Sequence, residues 1–169
     1  MVDNNLRRKR LRLKDYDYSQ SGVYFITICT QDKNCWLGKI KDGSMLLSSA
    51  GKITGEEWIR TAELRSYILL DEFTIMPNHL HGIIVITEKD KATHRVATTG
   101  LTPDSLGSII GQFKSIVTKR LRSIGLSDFC WQRNYFEHVI RNESDLNDIR
   151  EYIIYNPQKW LEDHENPGI

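Results

Sequence analysis

The sequence lacks the marks of a secreted or membrane protein. Only three cysteines occur in 169 residues, and Cys29, Cys35 and Cys130 show neither a paired CxxC spacing nor the arrangement of a disulfide framework. They are expected to be reduced, structural thiols. No apolar run approaches the roughly 20 residues that a bilayer span needs, and the basic N-terminus is not followed by the apolar stretch of a signal peptide. The expectation is a cytoplasmic, soluble chain with no membrane contact. An excess of one charge is missing too: the formal net charge is +1, so the total points to no polyanionic partner. Length and an ordinary composition fit one core-burying domain over 23–165, preceded by a basic arm over 1–22.

The distribution of charge says more than its sum. Arg7, Arg8, Lys9, Arg10, Arg12 and Lys14 crowd the arm with no acid among them, and 105–125 carries Lys114, Lys119, Arg120 and Arg122, again without an acid. Such clusters are the footprint of a phosphate-backbone binder. A solvated tail and a solvated helix face account for them equally well.

Periodicity places the elements. The β-branched and aromatic run 23–31 reads as a strand, and "WLGKIKDGSMLLS" reads as a hairpin turning at Asp42-Gly43. A helix is expected over 49–67, with Ile53, Trp58 (or Glu57), Thr61 and Leu64 at roughly helical spacing. Two strands follow, split at Pro77, which cannot donate to a central ladder. In the second, His79, His81, Ile83 and Val85 share one face, while Leu80, Ile84 and Ile86 share the other, so both faces are covered. The polar stretch 89–104 reads as a long loop. From Ser105 a helix carries the stripe Leu106, Ile109, Ile110, Phe113, Ile116, Val117, Leu121, with its basic residues largely off that stripe. Residues 129–142 read as a strand. A last helix is expected to start at Ser144 as N-cap, with Asp145 and Asp148 at the positive end of its dipole, and to stop near Asn156 because of Pro157. The order β, α, β-β, α, β, α predicts an α+β, ferredoxin-like sandwich: a mainly antiparallel central sheet with packed helices.

His79 and His81 are the residues that ask for chemistry. Two imidazoles on one face of an otherwise apolar strand need partners for several ring nitrogens. A divalent metal would satisfy two of them at once, and hydrogen bonds within the core are the other solution. No cysteine stands at a zinc-like spacing, and an imidazole pair with oxygen ligands suits a hydrolytic metal such as Mg2+ or Mn2+. Tyr152 and Asn156, four apart on the last helix, share a face beside the apolar stripe Leu146, Ile149, Ile153. A tyrosine there is either a rim residue or a nucleophile beside an activated phosphate.

The motifs have a family likeness. "MPNHLHGIIV" resembles the histidine–hydrophobic–histidine signature of the HUH single-strand nucleases. With "WQRNYFEHVIRN", "EYIIYNPQKW" and the opening "RLKDYDYSQSGVYFITICTQ", the chain resembles the REP-associated tyrosine transposases, relatives of the single-strand transposases of small insertion sequences, from about Arg10 to Trp160. The resemblance implies that His79 and His81 ligate a divalent metal, Mg2+ or Mn2+. It implies that Tyr152 is the nucleophile, forming a 5′-phosphotyrosine and leaving a free 3′-hydroxyl. Asn156 stands where related transposases carry a glutamine that completes the metal site; it is one methylene shorter, so direct and water-mediated contact both stay open. The implied substrate is single-stranded DNA with short imperfect hairpins, cleaved and rejoined by a monomer or homodimer without a nucleotide cofactor. Arg7, Arg8, Arg10, Arg12, Lys14, Lys114, Lys119, Arg120 and Arg122 would then grip the DNA backbone. Trp131 and Arg133 join them as DNA contacts, with Tyr135 and Phe136 as further stacking candidates, unless the aromatics fill the core. His138 could be a ligand, a DNA contact or a strand histidine satisfied locally. The competing reading is a non-catalytic hairpin-binding module derived from such an enzyme. A small-substrate metallohydrolase is disfavoured, since barrels using this pattern need roughly 250 residues.

Overall fold

The β-branched runs pair as one antiparallel sheet. The computed structural model describes residues 20–88 and 105–168. The basic cluster Arg7, Arg8, Arg10, Arg12 and Lys14 and the expected loop over 89–104 lie outside the described residues. The elements are β1 (Gly22–Cys29), β2 (Gly38–Lys41), β3 (Ser44–Leu47), α1 (Ser49–Glu63), β4 (Ile68–Ile75), β5 (His79–Ile86), α2 (Leu106–Ser123), β6 (Phe136–Ile140) and α3 (Glu143–Tyr155), with short 3-10 helices at Gln31–Lys33 and Asn156–Glu162. The main sheet runs β4-β5-β1-β6, with every neighbour antiparallel. Leaving out the β2-β3 hairpin, this is the β-α-β-β-α-β order of a ferredoxin-like sheet. The hairpin turns where expected: Asp42 and Gly43 take φ of 51° and 70°, the pair of positive values that a two-residue turn of matching twist requires.

Strand parity divides the core in two. Tyr24, Ile26, Ile28, Leu80, Ile84 and Ile86 face α1 and α2, where Trp58, Ile109, Ile110, Phe113, Val117 and Leu121 cover them. The opposite face carries Phe25, Ile83 and Ile140 under Ile153 of α3. His79 and His81 share the parity of Ile83, so they lie on the α3 side. Gly82, between His81 and Ile83, faces the other way: a Cβ there would meet Trp58 Cζ2 at 2.6 Å, so α1 seats on the back of the histidine strand only because the residue is glycine.

Several expectations need correction. The strand over 129–142 shrinks to Phe136–Ile140, because Asn134 takes φ of 67° and breaks the extended run, while Trp131 makes only an isolated bridge to Thr30. The N-cap of α3 is Asn142, whose side chain accepts from the Asp145 N–H, rather than Ser144. Leu64 and Ile116 are exposed, at 60% and 39%; Leu64 is the C-cap of α1, and Ile116 falls outside the buried set of α2. All three cysteines are free, with Cys35 and Cys130 exposed rather than structural. Among the described residues no helix is long and apolar enough to cross a membrane.

Candidate active site

The histidines owe their position to the turn before them. Pro77 interrupts the ladder, and Met76 N–H closes a tight turn onto the His79 carbonyl at 2.8 Å. His79 therefore opens β5 opposite Cys29, and His81 sits opposite Thr27. Both rings are buried, at 0% and 3% exposure. Their Nε2 atoms are 3.0 Å apart. Two metal–nitrogen bonds of about 2.1 Å at a right angle would place their nitrogens about 3.0 Å apart, so the spacing is that of adjacent ligands on one ion.

The outer hydrogen bonds fix which lone pairs face inward. Asn78 Nδ2 donates to the carbonyls of Lys33 and Glu165, at 3.0 and 2.6 Å. That turns Asn78 Oδ1 toward His79 Nδ1, 2.8 Å away. An amide oxygen only accepts, so His79 carries its proton on Nδ1 and presents a bare Nε2. His81 Nδ1 lies 2.8 Å from Thr27 Oγ1. A hydroxyl both donates and accepts, so Thr27 supports either His81 tautomer. In one, His81 Nε2–H donates to His79; in the other, both Nε2 lone pairs converge.

Helix α3 and the 3-10 segment after it supply the rest. Tyr152 Oη stands 3.2 Å from His81 Nε2, and its ring meets those of His81 and Phe25 at centroid distances of 5.2 and 6.1 Å. Asn156, one helical turn on, is 2% exposed. Pro157 ends the α-helix, as expected, but the chain continues as a 3-10 turn that brings Trp160 to 6.1 Å from His79, ring to ring. It then delivers Asp163, whose Oδ2 lies 3.9 Å from His79 Nε2. His79, His81 and Asp163 can offer one ligand atom each within 4.8 Å of one another. Asp163 was not foreseen: it lies past the last periodic element, and as one of three acids in "EDHE" it carries no spacing signal of its own. Asp163 Oδ2 and Asn156 Oδ1 are both buried without a hydrogen-bond partner. Orphaned oxygens in a dry site cost about 1–3 kcal/mol each, and a cation among them removes that cost. The donor set therefore fits a metal ion.

The electrostatics agree. Burial, then Lys33, brings the His79 imidazole down to about 3, and burial, then His79, depresses His81 against the opposing pull of Asp163. Both stay neutral, as ligands must. Burial, then Asp163, pushes the Tyr152 phenol up, and its hydrogen bond with Asn156 pulls the other way. The Cys29 thiol beside the site is pushed up to about 12, first by burial and then by Glu165 and Asp163, so it offers no thiolate. His138 Nε2 pairs with Asp145 Oδ2 at 2.9 Å, and its side chain is 40% exposed.

The other DNA-contact candidates lie on a different surface. Lys114, Lys119, Arg122 and Trp131 line an open groove along α2, on the side of the sheet opposite Tyr152. Trp131 packs on Phe113 and Phe129, at centroid distances of 6.1 and 5.0 Å, and forms part of the core rim. Lys114 Nζ donates to the Gln132 and Asn134 carbonyls at 2.6 and 2.8 Å. The Arg120 guanidinium is taken up by Glu57 and Glu56 of α1, at 2.7 and 2.8 Å. Lys119, Arg122 and Arg133 are exposed.

No family model matches the chain. An uncharacterized protein of Haemophilus influenzae is 40% identical over 164 residues, which cover 92% of this chain and 91% of that one. A candidate REP-associated tyrosine transposase of the same organism is 27% identical over 154 residues, 85% of this chain and 74% of that protein. The solved structure of a REP-associated tyrosine transposase bound to a REP hairpin shares the fold, with a TM-score of 0.62 and 21% identity over 88% of this chain and 73% of the other. The chain is thus similar in sequence to one candidate REP-associated tyrosine transposase and shares the fold of another.

Proposed function

We propose that this chain is a metal-dependent single-stranded DNA transposase or endonuclease that cleaves and rejoins hairpin-bearing, REP-like sequences through a 5′-phosphotyrosine. The observation that carries the reading is the approach of Tyr152 Oη to 3.2 Å from a histidine pair within one chain. Tyr152 Oη would attack the scissile phosphorus; the P–O3′ bond breaks, a 3′-hydroxyl leaves, and the phosphate stays on the tyrosine through its 5′ side. Rejoining reverses these bonds, so no nucleotide cofactor is consumed. His79 and His81, with Asp163, would hold a divalent ion, Mg2+ or Mn2+. When bound, that ion supplies the positive charge that a buried phenolate needs and polarises the phosphate. Thr27 and Asn78 keep the imidazoles turned inward. Asn156 braces the Tyr152 phenol and has an unpartnered oxygen to offer the same centre.

The substrate reading draws on the family resemblance and on the fold relative solved with a REP hairpin. Lys119 and Arg122, with Lys114 and Trp131, along the α2 groove would hold the DNA backbone, together with the exposed Arg133 and with Arg7, Arg8, Arg10, Arg12 and Lys14 of the arm. Arg120 would add little, because two carboxylates already occupy it. The catalytic domain is taken as 23–165, acting in the cytoplasm as a monomer or homodimer. The test is to incubate the protein with single-stranded hairpin DNA and Mg2+ or Mn2+ and look for a denaturation-resistant protein–DNA adduct. Wild type should form it and His81→Ala should not. Tight hairpin binding with no adduct in either metal would favour the non-catalytic binding module instead.

A further inference from the structure

Helix α3 has little apolar anchorage for an element that carries the nucleophile: Ile153 is its only fully buried residue. Tyr152 itself is 43% exposed. Leu146 and Ile149 pack beside it only partly buried, which leaves room for a polar contact to help set the helix's roll. The register of β4 against β5 shows one. Leu70 pairs with Ile84 and Phe73 with Gly82, so Asp71 and Glu72 together oppose Ile83. This is a β-bulge, and bulges re-aim side chains. Before it, Ile68 and Leu70 face α1; after it, Phe73 and Ile75 do. Alternation from Leu70 turns Asp71 to the α3 side, beside the very Ile83 on which Ile153 rests, and the extra residue returns Phe73 to the α1 face. Asp71 takes both arms of Arg150: Nε at 2.8 Å on Oδ1 and Nη2 at 2.5 Å on Oδ2. The grip lowers the Asp71 carboxyl below its ordinary range.

We propose that Asp71 and Arg150 are a positioning pair that fixes the roll of α3 and so the approach of the Tyr152 phenol to His81. The proposal rests on the tyrosine-nucleophile reading above. Arg150 and Tyr152 are two residues apart, about 200° around the helix, so they lie on opposite flanks. Holding one flank to the edge strand β4 sets where the other points. Side-chain tips lie about 6 Å from a helix axis, so a roll of about 10° moves the phenol oxygen by about 1 Å. Misplacement on that scale costs up to about a hundredfold in rate. At the N-terminal end, the His138–Asp145 pair ties α3 to the other edge strand, β6, so the helix is held across the full width of the sheet.

The experiment compares wild type, Asp71→Ala, Arg150→Ala and the double variant, all checked for a cooperative melt and for unchanged hairpin affinity. Adduct formation at saturating hairpin should fall on the order of tenfold to a hundredfold in each single variant, and the double should lose no more than either. A second readout needs no turnover: 3-fluorotyrosine placed at position 152 should show a shifted or broadened 19F resonance in Asp71→Ala. Folded single variants with rates within twofold of wild type, or an unmoved 19F resonance, would overturn the positioning role. A wild type that forms no adduct would remove the nucleophile reading instead, and the 19F comparison would still decide whether the pair places the phenol.

Discussion

Acidifying the metal-free protein tests the state of the histidine pair. The unfolded chain binds a proton on His79 near pH 6.5, whereas in the folded chain burial delays that proton to about pH 3. Between those values the unfolded state holds more protons, so stability falls as pH falls, by about 1.4 kcal/mol per unit. From pH 6.5 to 4.5, His79 alone then removes roughly 2 kcal/mol, a large share of the 5–15 kcal/mol typical of a folded domain. His81, depressed by the same burial and by its neighbour, steepens the loss. The assay is urea unfolding in the presence of a chelator at half-unit steps across this window, for wild type, His79→Gln and His81→Gln. Slopes matter here rather than absolute stabilities, since each substitution also perturbs packing. Wild type should lose stability steeply below pH 6.5, and each variant should lose one histidine's share of the slope. A wild-type curve parallel to that of His79→Gln would refute the buried, neutral assignment.

Other consequences can be measured separately. Mn2+ at about a hundred times its Kd should stabilise the wild type by about 2.7 kcal/mol, raising Tm by several degrees, and Asp163→Asn should lose much of that gain; an equal shift in the variant would remove Asp163 from the ligand set. Gly82→Ala should destabilise by about 1–3 kcal/mol, because its Cβ would sit 2.6 Å from Trp58 Cζ2; a neutral urea midpoint would show that α1 yields freely. Lys119→Ala and Arg122→Ala should each weaken hairpin binding and reduce the slope of log affinity against log salt by about 1; slopes identical to wild type would move the DNA off the α2 groove.

How much of this was legible in the sequence depended on periodicity. The period of two in β5 put His79, His81 and Ile83 on one face without knowledge of their partners, and the four-residue step from Tyr152 to Asn156 put phenol and amide on one helix face. Pro77 and Pro157 marked the breaks at 77 and 157 because a missing N–H has only one meaning in a ladder or a helix. Where the chain leaves a period, the reading failed. Asp163 reaches the site through a 3-10 turn whose path no repeat announces. The bulge at Asp71 shifts strand parity by one residue, and nothing in "LLDEFT" says where the shift falls. The long strand expected over 129–142 ended early because Asn134 adopts a left-handed conformation, and Asn142 rather than Ser144 capped α3 because both residue types are good caps. Arg120 looked like a free cation in sequence; only the tertiary fold reveals that Glu56 and Glu57, more than sixty positions away, already hold it.

The central claim is that Tyr152 carries the DNA. The most direct measurement is peptide mapping by mass spectrometry of the adduct formed on a single-stranded hairpin with Mn2+. Tyr155 on the same helix, equally exposed at 43%, serves as the internal control. The account predicts a nucleotide mass on the Tyr152 peptide, lost in Tyr152→Phe and retained in Tyr155→Phe. An adduct on Tyr155, or one that persists in Tyr152→Phe, would contradict it.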